Sequence, residues 1–238
     1  MRKTRSAPFP PLPAVLASAP EPSTRPRKRE RTRRQLITAA ARVYSARGMT
    51  RATIREIAAA AEMTPVTIYN HFRSESEIVQ AVAIWIADTF CQRIVDSCAS
   101  VPRGAERVAI GCRRFIWLAE ESPAWALLVS EVAVATPALL KQIGTYILAD
   151  LRLGVQQNDL HIVSDAAALD LISGTVIQAM RRVASRLAPR HHAIAAVSSI
   201  LSGLGMPPRK AREFARRPLP PLITPRPETK PGRSRRAG

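Results

Sequence analysis

Apolar residues recur every three or four positions along most of the chain, which is the spacing of amphipathic α-helices. The first clear instance is Ile37, Ala40, Ala41 and Tyr44, and Gly48 follows where a helix C-cap favours a left-handed residue. Few stretches alternate apolar and polar residues as a half-buried strand does. The pattern therefore predicts an all-α fold.

Three helix-start signals lie close together further along the chain. Thr53 with Glu56 and Ser74 with Glu77 match the capping box, in which a hydroxyl and a carboxylate satisfy free backbone N–H groups. Between them, Thr64 is an N-cap followed by proline at the first helical position. With the helix that ends near Gly48, these signals predict a three-helix unit ending in a helix-turn-helix.

Side chains in this unit suit two kinds of contact with double-stranded DNA. Small polar or methyl-bearing groups on the second short helix suit base edges in a major groove. Hydroxyl and imidazole groups suit phosphate oxygens, which position a protein without reading sequence. The first set is Thr64, Val66, Thr67 and Asn70, with Arg55 on the preceding helix for a guanine or a phosphate; the second is Thr53, Tyr69 and His71.

The run G-M-T-R-A-T-I-R-E-I-A-A-A-A-E-M-T-P-V-T-I-Y-N-H-F resembles the N-terminal domain of the tetracycline-repressor (TetR) family, whose members are mostly ligand-responsive repressors. The resemblance covers roughly residues 32 to 80, and its Ile-Tyr-x-His-Phe end is the most distinctive part. It implies that Arg55, Pro65, Val66, Thr67 and Asn70 face the groove, and that Thr53, Tyr69 and His71 lie on the phosphate side.

Two positions depart from the family's pattern. Glu62 stands in the turn where the family usually has glycine, and a non-glycine residue in a left-handed turn costs about 1 kcal/mol. Glu75 stands at the start of the fourth helix, where the family usually has lysine, and its carboxylate repels phosphate. Arg73 is the candidate to replace that cation, and without it DNA affinity is expected to be low.

The formal net charge of +18 is concentrated at the two ends of the chain. Residues 1–29 carry +6 and residues 217–238 carry +5, and both stretches are rich in proline and arginine. Such sequence buries too little apolar surface to fold, so both ends are predicted to be disordered. Seven cations between Arg25 and Arg34 lead into the first helix, where they either follow a DNA backbone or are simply solvated.

The chain therefore divides into a basic arm (1–29), a helix-turn-helix domain (30–75), a larger helical domain (76–216) and a basic tail (217–238). Helices are predicted over 75–99, 104–121, 123–135, 137–158, 165–187 and 191–204, with a short one after Pro207. The two helices after residue 164 are apolar on more than one face, and the resemblance implies that they pair with a second subunit in a four-helix bundle. Candidates for the homodimer interface, with intrachain core as the alternative, are Leu171, Ile172, Val176, Met180, Ile194, Val197, Ile200 and Leu201.

The resemblance also implies a pocket for a small-molecule effector in the larger domain. Aromatic or polar-tipped residues in its apolar helices suit a mostly apolar ligand with one or two hydrogen bonds, although core packing is the commoner role for each. The candidates are Trp85, Cys112, Phe115, Trp117, Trp125, Tyr146 and Gln178.

Neither an enzyme nor a membrane protein is expected. Hydrolase, metalloprotease, C-x-x-C and phosphate-loop motifs do not occur, and adjacent His191 and His192 point in different directions, so no metal site or cofactor is predicted. Four prolines between residues 8 and 13 argue against a signal peptide, and no later segment has eighteen uninterrupted apolar residues. A cytoplasmic protein with Cys91, Cys98 and Cys112 reduced is expected.

The sequence thus predicts a dimeric, ligand-responsive transcriptional regulator, most simply a repressor that binds a palindromic operator. Two alternatives remain open. One is a ligand-binding or interaction dimer whose DNA binding is weakened by Glu75. The other is a non-specific DNA-binding protein driven by the basic ends, which predicts strong salt dependence.

Overall fold

The computed structural model describes residues 27–48 and 51–222, and the secondary structure of these residues is helical. The all-α prediction is confirmed. The helices are α1 (Lys28–Arg47), α2 (Ile54–Ala60), α3 (Pro65–Tyr69), α4 (Glu75–Ser97), α5 (Gly104–Glu121), α6 (Pro123–Ala135), α7 (Pro137–Gln156), α8 (Asp165–Ala184), α9 (His192–Gly203) and α10 (Pro208–Arg216).

Local capping explains the helix-turn-helix. The Thr53 backbone N–H donates to Glu56 Oε2 at 3.0 Å, and the Glu56 N–H donates to Thr53 Oγ1 at 3.3 Å, so the predicted capping box is present. Glu62, in the turn between α2 and α3, adopts φ 56°. This is the left-handed conformation expected at a position where the family usually has glycine. Buried Ile57 and Ile68 anchor the two short helices in the core, because a helix of five residues is not stable alone.

The fourth helix joins the two parts of the molecule. Its N-cap Ser74 accepts from the Glu77 N–H at 3.3 Å, and Glu77 lies 3.6 Å from Arg33 of α1. Further along, α4 packs on α5, α6 and α7. Its length and apolar composition would allow it to cross a membrane, but more than half of its most apolar stretch is buried inside the fold, as in a core helix.

The larger domain is built around α5, which packs against α7, α8, α9 and α10. Most helix bounds agree closely with the sequence patterns, but α8 ends three residues before its predicted end. Arg186 adopts φ 58°, and the Leu187 N–H donates to the Arg182 carbonyl at 2.9 Å. This left-handed C-cap closes the helix without glycine.

The predicted disordered ends need correction where the structure describes them. Lys28 and Arg29, assigned to the arm, form the first turn of α1. Residues 217–222, assigned to the tail, lie against α5: Arg113 donates to the Arg217 carbonyl and Arg114 to the Pro220 carbonyl. Leu219 and Leu222 also contact the hydrophobic core, which a composition argument overlooks. Residues 1–26 and 223–238 lie outside the described residues.

Candidate DNA-recognition surface and ligand cavity

The outer side of α3 exposes two large side chains beside small polar ones. The side chains of Val66 and Tyr69 are 68% and 60% exposed, while Ile68 between them is 1% exposed. The Thr64 and Thr67 hydroxyls lie 3.1 Å apart at the start of the helix, where the Thr67 N–H also donates to Thr64 Oγ1 at 3.4 Å. The helix thus presents methyl, hydroxyl and phenol groups outward, which are the groups that contact base edges and phosphates.

The structure brings the predicted DNA-contacting residues onto the helix-turn-helix and leaves nearly all of them accessible. Thr67 and His71 are half-buried. The exposed ones are Thr53, Arg55, Thr64, Pro65, Val66, Tyr69, Asn70 and Arg73.

Two arginines of α1 lie close to the end of α3. The guanidinium of Arg33 stacks 4.6 Å from the ring centre of buried Phe72, in addition to its contact with Glu77. Burial, and then the charges of Arg29 and Arg33, lowers the pKa of His71. The imidazole is therefore neutral at pH 7 and offers one N–H for a phosphate rather than a cationic contact.

Glu75 is exposed in the first turn of α4, where its carboxylate interacts favourably with the helix dipole. Burial, followed by the nearby charge of Glu75, raises the pKa of Tyr44 to about 12, so this tyrosine stays protonated. The Arg73 side chain is exposed beside this turn, and its backbone N–H donates to Glu77 Oε2 at 2.8 Å. A cation and a carboxylate are therefore both exposed next to the predicted phosphate-contacting residues.

A cavity of about 90 Å³ lies in the larger domain, between α4, α5, α6, α7 and α8. This volume is within a factor of about two of the ~150 Å³ engineered cavity known to bind benzene. Most of its walls are aliphatic or aromatic. They comprise Cys91, Ile94 and Val95 of α4; Arg107, Val108, Gly111, Cys112 and Phe115 of α5; Val129 and Ala133 of α6; Leu140, Ile143, Tyr146, Ile147 and Asp150 of α7; and Ile172, Ser173, Val176, Ile177 and Met180 of α8.

The charged lining residues of this cavity are Arg107 and Asp150, whose Nη1 and Oδ1 atoms are 3.6 Å apart. Burial raises the pKa of Asp150, and the charge of Arg107 partly offsets that effect. Burial also raises the pKa of Tyr146. The thiols of Cys91 and Cys112 have pKa values raised to about 12, which makes them apolar wall rather than nucleophiles.

Three of the seven predicted pocket residues line this cavity: Cys112, Phe115 and Tyr146. The other four lie elsewhere, for reasons that depend on tertiary packing. Trp125 is buried in the core, Trp85 packs partly buried against it, Trp117 stacks 5.5 Å from the Arg114 guanidinium, and Gln178 is exposed on the opposite side of α8. Sequence reasoning missed Arg107 and Asp150. For Asp150 the available signal was a lone carboxylate at helical spacing from Ile143, Tyr146 and Ile147. Arg107 gave no such signal, because other arginines of the same helix region lie at helical spacing from it.

Most of the residues predicted at the dimer interface belong to the interior of one chain. Six are buried there, and three of them, Ile172, Val176 and Met180, line the cavity. The other buried ones are Val197, Ile200 and Leu201; Leu171 and Ile194 are half-buried. For these six residues the single chain favours the alternative of intrachain core, because apolarity marks the buried face of a helix. Both helices also have a second, outer face.

That second face is exposed and carries mostly small residues. It comprises Ala167 and Gly174 on α8 with Ala195, Ser199 and Gly203 on α9, and Gln178 of α8 is the one longer side chain among these positions. A Cβ at Gly203 would lie 2.7 Å from the Leu171 side chain, so the two helices approach closely. Side chains this small leave a flat surface on which other helices can pack.

Comparisons with known proteins agree with both parts of the fold. Residues 36–82 match the family described as bacterial regulatory proteins, tetR family, and residues 103–217 match the family described as tetracyclin repressor-like, C-terminal domain. The regulator TcmR of Streptomyces glaucescens is 38% identical over 66 residues, 28% of this chain. TtgR of Pseudomonas putida is 34% identical over 90 residues, 37% of this chain. The matches span 29% and 40% of those two relatives.

A solved structure resembles nearly the whole folded part. RolR in complex with resorcinol superimposes with a TM-score of 0.70 at 26% sequence identity. The superposition covers 82% of this chain and 98% of RolR. The similarity therefore includes the cavity-bearing domain as well as the helix-turn-helix.

Proposed function

The chain belongs to the TetR family of bacterial regulatory proteins, and from this premise we propose that it is a ligand-responsive transcriptional regulator. It binds operator DNA through α2 and α3 and releases the DNA when a small molecule occupies the cavity. The observation that carries the proposal is the course of α4. This helix is capped beside the recognition helix at Ser74 and lines the cavity at Cys91, Ile94 and Val95.

In this proposal α3 enters the major groove. Val66, Thr67 and Asn70 contact base edges, with Arg55 reaching from α2. Thr53, Tyr69 and His71 contact phosphates on either side, and Arg73 adds a cation there. Thr64 and Pro65, at the start of α3, complete the surface. The exposure of Val66 and Tyr69 supports this assignment, because both side chains are accessible to a DNA groove and its phosphates.

The regulator acts as a homodimer through the small-residue face of α8 and α9 defined above. Two helices from each protomer then form a four-helix bundle, and a twofold axis places two recognition helices on an approximately palindromic operator. The flat surface made by Gly174, Ala195 and Ser199 supports this arrangement.

Binding of the small molecule weakens binding of DNA, and α4 couples the two sites. Cys91 is 16 residues from Glu75, so at 1.5 Å per residue the cavity lies roughly 24 Å along α4 from the DNA-binding end. A ligand that shifts the cavity end of α4 moves the helix-turn-helix and changes the separation of the two recognition helices. A coupling of roughly 1 to 3 kcal/mol is enough for an effector to relieve repression.

The effector fills a mostly apolar cavity the size of one aromatic ring. RolR is structurally similar and binds resorcinol, which supports a compact ring compound for this chain as well. Cavity residues Cys112, Phe115 and Tyr146 supply apolar and hydroxyl contacts. We place the regulator in the cytoplasm, where its operator is accessible.

The decisive test is a fluorescence-anisotropy titration of the full-length protein with DNA flanking its own gene and with scrambled DNA. We expect a preference of about a thousandfold for the native flank at near-physiological salt. Val66→Ala should reduce that preference, while Val163→Ala, at an exposed apolar side chain in the loop before α8, should leave it unchanged.

Two other outcomes would replace the proposal. Equal and strongly salt-dependent binding to both DNAs would assign function to the basic ends. Absence of binding to either DNA would favour a ligand-binding dimer with weakened DNA recognition, a candidate that the carboxylate of Glu75 supports.

A further inference from the structure

The cavity carries an ion pair in otherwise apolar walls. Arg107 enters from α5 and Asp150 from α7, and both line the space between the two helices. The pair is only partly buried: 30% of the Arg107 side chain and 23% of the Asp150 side chain are exposed. A charged pair in such a place determines which ligands the cavity accepts.

The position of the pair is fixed by the backbone. A Cβ at Gly104 would lie 2.3 Å from the Asp150 carbonyl oxygen, so only glycine lets the start of α5 approach α7 this closely. Arg107 follows one turn later, and its Nε donates to the Val101 carbonyl at 2.7 Å. The guanidinium is therefore held in place before any ligand arrives.

The carboxylate of Asp150 retains unused hydrogen-bonding capacity. Its ion-pair partner among the described residues is Arg107, and the 3.6 Å separation is longer than the 2.7–2.9 Å of a strong charge-assisted hydrogen bond. A carboxylate has about four lone-pair positions, so a further donor would be well accommodated. The neighbouring lining residue Tyr146 supplies a hydroxyl on the same helix.

The same pair disfavours charged ligands. Arg107 already compensates the charge of Asp150. An anionic ligand is therefore repelled by the carboxylate, and a cationic ligand is repelled by the guanidinium. Either ion would also lose its hydration among aliphatic walls such as Ile143 and Ile177. A neutral ligand with a hydrogen-bond donor avoids both costs.

We propose that the effector is a neutral hydroxylated ring compound, a phenol or cyclic alcohol, whose hydroxyl donates to Asp150 beside Arg107 while its ring fills the apolar remainder of the cavity. This inference rests on the proposed function, because it takes the cavity to be the effector site. It assigns Asp150 as the residue that selects for a donor.

The test compares ligands that share a ring and differ at the polar group. Resorcinol, 1,3-dimethoxybenzene, benzoate and benzylamine are titrated into the full-length protein by isothermal calorimetry. We expect resorcinol to bind roughly tenfold to a hundredfold more tightly than its dimethyl ether, as for one hydrogen bond to a charged group. Benzoate and benzylamine are expected to bind more weakly than resorcinol.

A variant tests the residue. Asp150→Asn should reduce the difference between resorcinol and its ether, and Asp165→Asn, a carboxylate in an exposed ion pair with Arg152, should not. The comparison of the two ligands in the unaltered protein stands even if Asp150→Asn folds poorly. Equal binding of resorcinol and its ether, tighter binding of either ion, or binding of none of the four compounds would overturn the inference.

DNA binding is measured in parallel by anisotropy, which distinguishes a failure of the proposed function from a failure of the ligand assignment. If the ligands bind in the expected order and DNA affinity does not change, the assignment of Asp150 stands and coupling to DNA is wrong. If specific DNA binding is found but resorcinol and its ether bind equally, the regulator stands and the donor selection is wrong.

Discussion

At the scale of single residues, Asp159 shows how one carboxylate holds distant segments together. Its side chain is fully buried, and it accepts from Arg103 Nε and Nη2 at 2.8 Å each and from Lys210 Nζ at 2.6 Å. These contacts join the start of α5 to the α7–α8 loop and to α10. The hydrogen bonds of Arg103, followed by those of Lys210, lower the pKa of Asp159 to about 2.

This shift predicts a defined pH dependence. A depressed pKa stabilises the fold above the unfolded value of 3.8, and the contribution is lost as pH falls towards 2. Asp159→Asn should lower the free energy of unfolding by about 2 kcal/mol at pH 7, and the difference should disappear near pH 2. Urea denaturation across pH 2–7 measures it. Glu213→Gln, in an exposed pair with Arg217, is the control, and an equal effect there would contradict the assignment.

Glu75 gives a second prediction at this scale. Glu75→Lys replaces a carboxylate that repels phosphate with a cation at the start of α4, so affinity for the native flanking DNA should rise several-fold. Anisotropy at two salt concentrations measures the change. Glu213→Lys makes the same change in charge on α10, beside the start of α5, and should have little effect. Equal gains from both variants would mean that net charge alone is responsible.

The sequence located surface residues better than interior ones. The exposure of Val66, Tyr69 and Asn70 could be predicted from a capped short helix, because local spacing determines which side faces outward. The position of Asp150 in the cavity could not be predicted, since it depends on the packing of α5 against α7. The roles of all these residues remain predictions.

At the scale of elements, the turn between α2 and α3 has a measurable cost. Glu62 adopts φ 56°, a conformation that glycine adopts without strain. Glu62→Gly should therefore stabilise the protein by up to about 1 kcal/mol, which raises Tm by a few degrees. Ala59→Gly, on the exposed side of α2, should lower stability by a similar amount. A loss of stability in Glu62→Gly would show that this side chain has a compensating role.

Helix starts were the most predictable elements. Thr53, Thr64 and Ser74 each accept a hydrogen bond from the backbone N–H three residues later, and that signal is contained within four residues. Helix ends depended on backbone geometry that composition does not reveal, as at Arg186. Residues 217–222 were misjudged because their hydrogen bonds come from Arg113 and Arg114, a hundred residues away in sequence.

At the scale of the whole molecule, the proposed dimer can be tested at one position. A side chain at Gly174 would meet nothing within 4 Å in a single chain, so substitution there should not disturb the protomer fold. Gly174→Arg should give monomers with unchanged circular dichroism, because a long cation cannot be buried between packed helices. Gly174→Ala should remain dimeric. Light scattering after size exclusion measures both, and a dimeric Gly174→Arg would exclude this face.

The subunit interface was harder to predict from the sequence than the fold class. Periodicity predicted the fold class, but the apolar pattern of α8 did not show which of its two faces lies inside the chain. Ile172 and Val176 appeared as interface residues because they are apolar, and the structure uses them to enclose a cavity. Small residues such as Gly174 are not marked by apolarity. They would contribute to an interface by leaving a flat surface.

One helix, α8, therefore separates the cavity from the proposed partner. Its inner side lines the cavity, and in the proposed dimer its outer side faces the second protomer, so only the thickness of two helices, roughly 20 Å, lies between the two cavities of that dimer. A ligand that displaces Val176 or Met180 alters the surface on which the neighbouring subunit rests. Occupation of one cavity then changes the affinity of the other, and effector titrations should depart from a simple hyperbola.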